Sequence, residues 1–516
     1  MSSRKLHSTI LWLVAILLSL SSHAAAQSKG SNPEQRIRGI TAKAVELSVN
    51  ANEPPLQLSL QELMELYRIP AFSIAVIDDY KIAWAKAYGV TDAASKTPVT
   101  TRTLFQAGSI SKPVAATGAL YLVEKGKLSL DEPVNEKLKT WKVPNNEFTA
   151  TQKVTLRRLM SHTAGLTVHG FPGYDVDEPL PTLAQILNGE KPANTAPIRV
   201  DVAPGTVERY SGGGITIEQQ LMIDVTGKAF PDLMRETVFD KIGMTDSSYS
   251  QPLPPDWAKR TAAGTDMAGK AVPGRWHVYP EMAAAGLWTT PTDLATFAIE
   301  IALSKQGKAN HILSQKMTDE MLTPVMDEAG LGFFLDTRNP GQFGHDGADD
   351  GFQALLTMNA KSGKGVAIMA NSDLGIAAAE FVLQSVAREY AWNYNPGPQT
   401  FPALVLLAKR KGAPAALDYY GELKKSAAKN SDINEGTLNR LGYWLMNSGQ
   451  TQDAIAVFER NVQEYPQSSN VFDSLAEGYM KAGQKRLAIA NYEKSLQLDP
   501  KNQNAVDMLK KLKETD

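Results

Sequence analysis

Two β-hairpin patterns at opposite ends of one long mixed segment constrain this chain more than any other feature. Phe72 to Ile77 (FSIAVI) is apolar and β-branched, Asp78-Asp79-Tyr80-Lys81 supplies a turn, and Ile82 to Tyr88 (IAWAKAY) returns as a strand. Far downstream, Phe352 to Asn359 (FQALLTMN) and Val366 to Asn371 (VAIMAN) form a second hairpin around Lys361-Ser362-Gly363-Lys364-Gly365. A helix-like stretch, Leu60 to Tyr67, precedes the first hairpin, and Ala377 to Trp392, free of Gly and Pro, follows the second. Loop-rich and helical stretches lie between them. The pattern predicts an antiparallel sheet closed from both termini, flanked by helices and carrying an all-helical lobe. That is an α+β class rather than alternating βαβ.

Asn393 to Pro402 (NYNPGPQTFP) reads as a Pro/Gly linker, and the chain beyond it reads as all helix. There Leu441 matches Leu475, Gly449 matches Gly483, Ala454 matches Ala488, Phe458 matches Tyr492 and Pro466 matches Pro500, each at a spacing of 34. That spacing is the tetratricopeptide period, with small residues where two helices cross and a proline ending the second. Gly412, Ala416 and Tyr420 mark a degenerate earlier copy, and Asn504 to Lys513 the capping helix. Such an array either packs on the rest of the chain or recruits a protein partner. The expected organisation is a leader, 1–26, an N-terminal segment, 27–50, the mixed α+β domain, 51–395, a linker, 396–402, and the repeats, 403–516.

The leader follows from Arg4 and Lys5, the 11-residue apolar core from Ile10 to Leu20, and Ala24-Ala25-Ala26. This is the layout of a secretory signal cut after Ala26, and its apolar core is shorter than the roughly 20 residues of a membrane span. The expectation is an exported chain with no membrane span once mature, a bacterial periplasm being the simplest destination. None of the 516 residues is cysteine, which removes disulfides, thiol nucleophiles and Cys-ligated metals. With 53 Lys and Arg against 55 Asp and Glu, nothing favours a nucleic-acid partner. The seven His are scattered and no H-E-x-x-H occurs, so neither metal nor cofactor is expected. Gly264 to Lys270 imitates a phosphate-binding loop, but Ala271 stands where a Ser or Thr must hold magnesium.

The chemistry therefore falls to oxygen and nitrogen groups. Ser109-Ile110-Ser111-Lys112 is an S-x-x-K tetrad opening a helix that runs to about Glu124. At spacing i, i+3 both end residues share one helix face. Serine is a poor nucleophile without a base beside it, and Lys112 is in place to serve. A serine at a helix N-terminus also offers its own free N–H to an oxyanion. Pro204-Gly205 before Tyr210-Ser211 reads as a turn presenting a tyrosine. Phe343-Gly344-His345-Asp346-Gly347 precedes the strand Phe352 to Asn359, and Leu159 to Leu166 (LMSHTAGL) lies earlier.

In these motifs, and in Ala283 to Phe297 (AAAGLWTTPTDLATF), the chain resembles the serine β-lactamase and penicillin-binding-protein superfamily, in its class C-like, esterase-type branch. The resemblance covers roughly residues 60 to 395. It implies Ser109 as acylated nucleophile, Lys112 as proton relay and Tyr210 as general base and then acid. It also sets His345-Asp346-Gly347 where the family has K-[ST]-G on its innermost strand, with Ala348 giving a second oxyanion N–H. His162 reads as a structural hydrogen-bonder, and Asp346, Asp349 and Asp350 as a solvated loop at the site mouth. Two departures stand out. Tyr210-Ser211-Gly212 lacks the asparagine of Y-x-N, and His345 replaces a lysine that holds a substrate carboxylate. If His345 substituted for that lysine, selectivity for anionic substrates would rise as pH falls through about 6.5. The resemblance thus implies an acyl-enzyme hydrolase of small esters, amides or peptides bearing D-residues. The alternatives are a D,D-peptidase or β-lactamase, and a catalytically weak binding module whose repeats recruit a partner.

Overall fold

The computed structural model describes residues 32–49, 54–92, 94–397, 399–426 and 433–514, so the expected leader lies outside the described residues. Helices α1 (Pro33–Ala42) and α2 (Leu60–Leu66) lead into the first hairpin, β1 (Ala71–Asp78) and β2 (Lys81–Gly89). Asp79 and Tyr80 turn it at φ 52° and 58°, the left-handed pair that matches strand twist. The lobe contributes α3 (Ser111–Glu124), α4 (Gly212–Thr226), α5 (Met282–Ala285) and α6 (Pro291–Lys305), among shorter turns. The chain then returns through β3 (Phe334–Asp336), β4 (Gln342–Asp349), β5 (Phe352–Asn359), β6 (Lys364–Ala370) and α7 (Gly375–Glu389).

These six strands form one sheet in the order β2-β1-β6-β5-β4-β3, antiparallel throughout. The two hairpins meet in the middle, where Ile74 pairs with Ile368. Strand alternation splits β1 between two cores. Ala71, Ala75 and Ile77 face the lobe, while Phe72, Ile74 and Val76 face α1, α2 and α7. Two sequence expectations change here. Asp346 and Asp349 are not in a loop, because β4 extends through Asp349 and pairs with β5 along its length. Nor is β4 innermost, since it lies one strand from the edge.

Beyond α7 the described chain is helical: α8 (Thr400–Lys411), α9 (Ala413–Ser426), α10 (Glu435–Asn447), α11 (Thr451–Glu464), α12 (Ser469–Lys481), α13 (Lys485–Leu498) and α14 (Gln503–Glu514). Helix α8 begins inside the stretch read as linker. Pro402 sits in its first turn, where the N–H it lacks has no helical partner. Successive helices of one set, α10, α12 and α14, start 34 residues apart, as do α11 and α13. Gly442 lets α10 and α11 cross closely, because a Cβ there would stand 2.3 Å from the Phe458 ring. The second core runs without a break from the back of the sheet through α7 and α8 into these helices. Among the described residues no helix is long and apolar enough to cross a membrane.

Candidate active site

A tight turn places the serine. Ser109 lies in a single 3₁₀ turn, Gly108–Ile110, rather than in the α-helix itself, which opens two residues later at Ser111. Ser111 holds that turn, its hydroxyl donating to the Gly108 carbonyl at 2.6 Å and accepting the Leu287 N–H at 3.0 Å. The sequence reading passed over Ser111, although it lies within the tetrad. One turn on, Lys112 points back along the same face. It is 2% exposed, and its Nζ donates to Ser109 Oγ at 2.8 Å and to the Ala284 carbonyl of α5 at 2.7 Å. Both bonds aim the amine at the serine.

Strand β4 passes so close to this turn that only glycine fits on either side. A Cβ on Gly347 would stand 1.9 Å from the Ala107 carbonyl oxygen, and one on Gly108 would stand 2.4 Å from the Ala348 nitrogen. The second expected oxyanion donor, the Ala348 N–H, is thereby set beside the serine's turn. Beyond Gly344 the outer edge of β4 has no strand partner, because β3 stops pairing there. His345, Gly347 and Asp349 alternate onto the serine side of the strand. Asp349 is 6% exposed, and its carboxyl accepts the Gly108 N–H. Burial raises its pKa, partly offset by the Lys112 charge and this hydrogen bond, with Asp350 and Glu281 adding to the rise.

Tyr210 sits over the same amine, with Lys112 Nζ 5.0 Å from its ring centroid. Its ring lies in a box with centroids at 4.3 Å to His162, 4.9 Å to His169, 6.0 Å to His345 and 6.1 Å to Phe334. His162, at φ 57°, clamps both neighbours of Tyr210. Its carbonyl accepts the Arg209 N–H at 2.8 Å, and its Nδ1 accepts the Ser211 N–H at 3.2 Å. Ser211 in turn caps α4, accepting from the Gly214 N–H at 3.0 Å. The missing asparagine has a steric counterpart at Gly212. A Cβ there would stand 3.0 Å from the Phe171 ring and 3.1 Å from the His169 carbonyl, so the 167–171 loop fills that space.

His345 does not behave as a stand-in for a cationic lysine. Burial and then the Lys112 charge push its pKa down to about 3, against a weaker opposing hydrogen bond to the Asp346 carbonyl. Burial and the same charge also hold His162 well below its usual range. Both rings are neutral where an ordinary imidazole titrates. Phe334 and His169 escaped the sequence reading, because each reaches the site through tertiary packing rather than through a local motif, and Asp349, read as part of a solvated loop, is instead buried on β4.

The profile of the family described as Beta-lactamase matches residues 56–388. Over 239 residues the chain is 31% identical to a β-lactamase of Pseudomonas fluorescens, covering 46% of this chain and 61% of that protein. It is 25% identical over 353 residues to an unguisins hydrolase of Aspergillus violaceofuscus, 60% of each chain. It is 27% identical over 336 residues to penicillin-binding protein 4 of Amycolatopsis lactamdurans, covering 61% of this chain and 84% of that one. The first two matches thus span less than two thirds of those relatives. An octameric penicillin-binding protein homologue from Pyrococcus abyssi shares the fold, with a TM-score of 0.56 at 23% identity over 68% of this chain and 80% of that one.

Proposed function

The chain belongs to the β-lactamase family of serine hydrolases, and from that premise we propose that it cleaves ester or amide bonds through an acyl-enzyme on Ser109. The observation that carries the reading is the 2.8 Å hydrogen bond from Lys112 Nζ to Ser109 Oγ, with the Tyr210 ring over the same amine. Ser109 Oγ attacks the carbonyl carbon and yields its proton to the Tyr210–Lys112 pair. The Ser109 and Ala348 N–H groups hold the oxyanion. Collapse expels the alcohol or amine, which takes that proton from Tyr210. Water then attacks the acyl-enzyme by the same route and frees Ser109. A fluorophosphonate probe should label the protein, and Ser109→Ala should abolish labelling. Undiminished labelling of that variant would sink the assignment.

The neutral His345 and the closed space at Gly212 favour small esters, or peptides bearing D-residues, over anionic β-lactams. The printed names of the relatives favour the other reading, a β-lactamase or D,D-peptidase. Parallel rates on nitrocefin and on a p-nitrophenyl ester separate the two. The helices spaced by 34 fit tetratricopeptide repeats following a hydrolase domain of residues 51–395. Residues 1–26 fit an export signal to the periplasm.

A further inference from the structure

A cavity of about 610 Å³ lies behind the proposed site, between the back of the sheet and the C-terminal helices. Phe334 and His345 of the ring box also line it, but the acyl transfer uses none of its charged groups. Its floor is the back face of β4 and β5, carrying Gln342, Asp346 and Leu355, while α7 supplies Glu380 and Leu383 and α10 supplies Arg440. The Asp346 and Glu380 carboxyls and the Arg440 guanidinium make no hydrogen bond or ion pair with any described residue. Arg440 only stacks on Phe401, 4.8 Å from the ring centroid.

A second observation, independent of those charges, also points to a ligand. Gln342 is 5% exposed and lines the cavity on the same strand face as Asp346. Its Nε2 donates to Thr357 Oγ1, but its Oε1 is buried with no donor. Nearly all buried polar atoms find a partner, so an acceptor left open here calls for one. Burial, and then the charge of Asp346, push the Glu380 carboxyl up to about 7, a strain that a cation placed between them relieves. Acceptors therefore gather on the sheet and α7 side, a single strong donor sits on the α10 side, and leucines lie between. The volume is in the range that holds small ligands, roughly 300–1,000 Å³.

We propose that this cavity binds a small zwitterion of the amino-acid or short-peptide class, its ammonium between Asp346 and Glu380 near Gln342 Oε1 and its carboxylate on Arg440. The charged groups lie on the face of β4 opposite Ser109, although the cavity reaches Phe334 and His345 of the ring box, and the proposal does not depend on the hydrolytic reading. The test is calorimetric titration of the full chain in a Ser109→Ala background, which removes that serine's turnover of the probe. L-leucylglycine should bind saturably. Its N-acetyl and C-amide derivatives, each lacking one charge, should bind about tenfold more weakly or worse, the scale of a lost charge-assisted hydrogen bond. Glu380→Gln and the exposed Arg440→Met should each weaken the free dipeptide by a similar factor without lowering the melting temperature. Absence of saturable binding, equal binding of a blocked derivative, or unchanged binding in Arg440→Met would overturn the proposal.

Discussion

At the scale of single residues, the site is defined by which charges burial permits. Lys112 keeps its amine among carbonyl and hydroxyl acceptors, while His162 and His345 around it are held neutral. It follows that the ratio of kcat/KM for an anionic ester over its neutral analogue will be flat between about pH 5.5 and 8. A rise toward acid pH would show that His345 gains a proton there. A lowered imidazole pKa also sets the sign of stability. As pH falls below about 6.5 the unfolded chain binds protons that the fold refuses, so acid destabilises it. Glu218 on α4 works in the opposite sense. It is fully buried with both oxygens unpartnered, and burial pushes its carboxyl up to about 8 from 4.5. The fold keeps it protonated, so stability is lost as pH rises from about 4.5 toward 8. Glu218→Gln cannot ionise. Its stability should fall less than the parent's between pH 5 and 8, a difference on the order of a few kcal/mol at pH 8, read as a smaller drop in melting temperature. Parallel curves would mean that Glu218 stays charged in the fold.

At the scale of elements, the approach of β4 to the serine turn decides whether two N–H groups converge. Gly347→Ala drives a methyl into the Ala107 carbonyl, and either the strand or the turn must move. Ester kcat should drop by about 100-fold or more, comparable to losing one oxyanion donor, with a smaller effect on KM. Near-parental kcat would mean that the strand adjusts without cost. The elements also mark what was legible from sequence. Ser109, Lys112 and Tyr210 could be picked out because each sits in a short local pattern, and the two hairpins because alternation and turn residues are local too. The strand character of Asp346 and Asp349 was hidden, because an acidic stretch reads as solvated until its pairing with β5 is known. The ring box around Tyr210 was equally hidden. Phe334 comes from the edge strand and His169 from a loop, and no periodicity links them to residue 210.

At the scale of the whole molecule, the C-terminal helices share a core with the sheet. Tyr67 of the N-terminal part meets Trp444 of α10 edge-on at 6.3 Å, and Lys409 lies over both rings, 6.0 and 5.5 Å from their centroids. Leu404, Leu406 and Leu407 of α8 are buried in the same cluster as Phe72 and Ile74. Ending the chain after Tyr394 would expose that apolar face. We expect such a truncation to aggregate, or to melt more than about 10 °C below the full chain, since losing several buried leucines at about 2–5 kcal/mol each is a large part of a domain's stability. A soluble fragment with parental melting would show that the helices merely lean on the sheet. Sequence could show the spacing of 34 but not this docking, because helix periodicity says which face is apolar and not what covers it.

The sheet's central pairing, β1 with β6, joins residues nearly three hundred positions apart. Until the C-terminal hairpin has been synthesised, the first hairpin has no strand partner on the edge that β6 will take. The barrier to folding is therefore one of loop closure, and it cannot be crossed before β6 has emerged. At about 5–20 residues per second, the first hairpin waits well over ten seconds for its partner. For that interval β1 presents an unpaired strand edge that another chain can pair with.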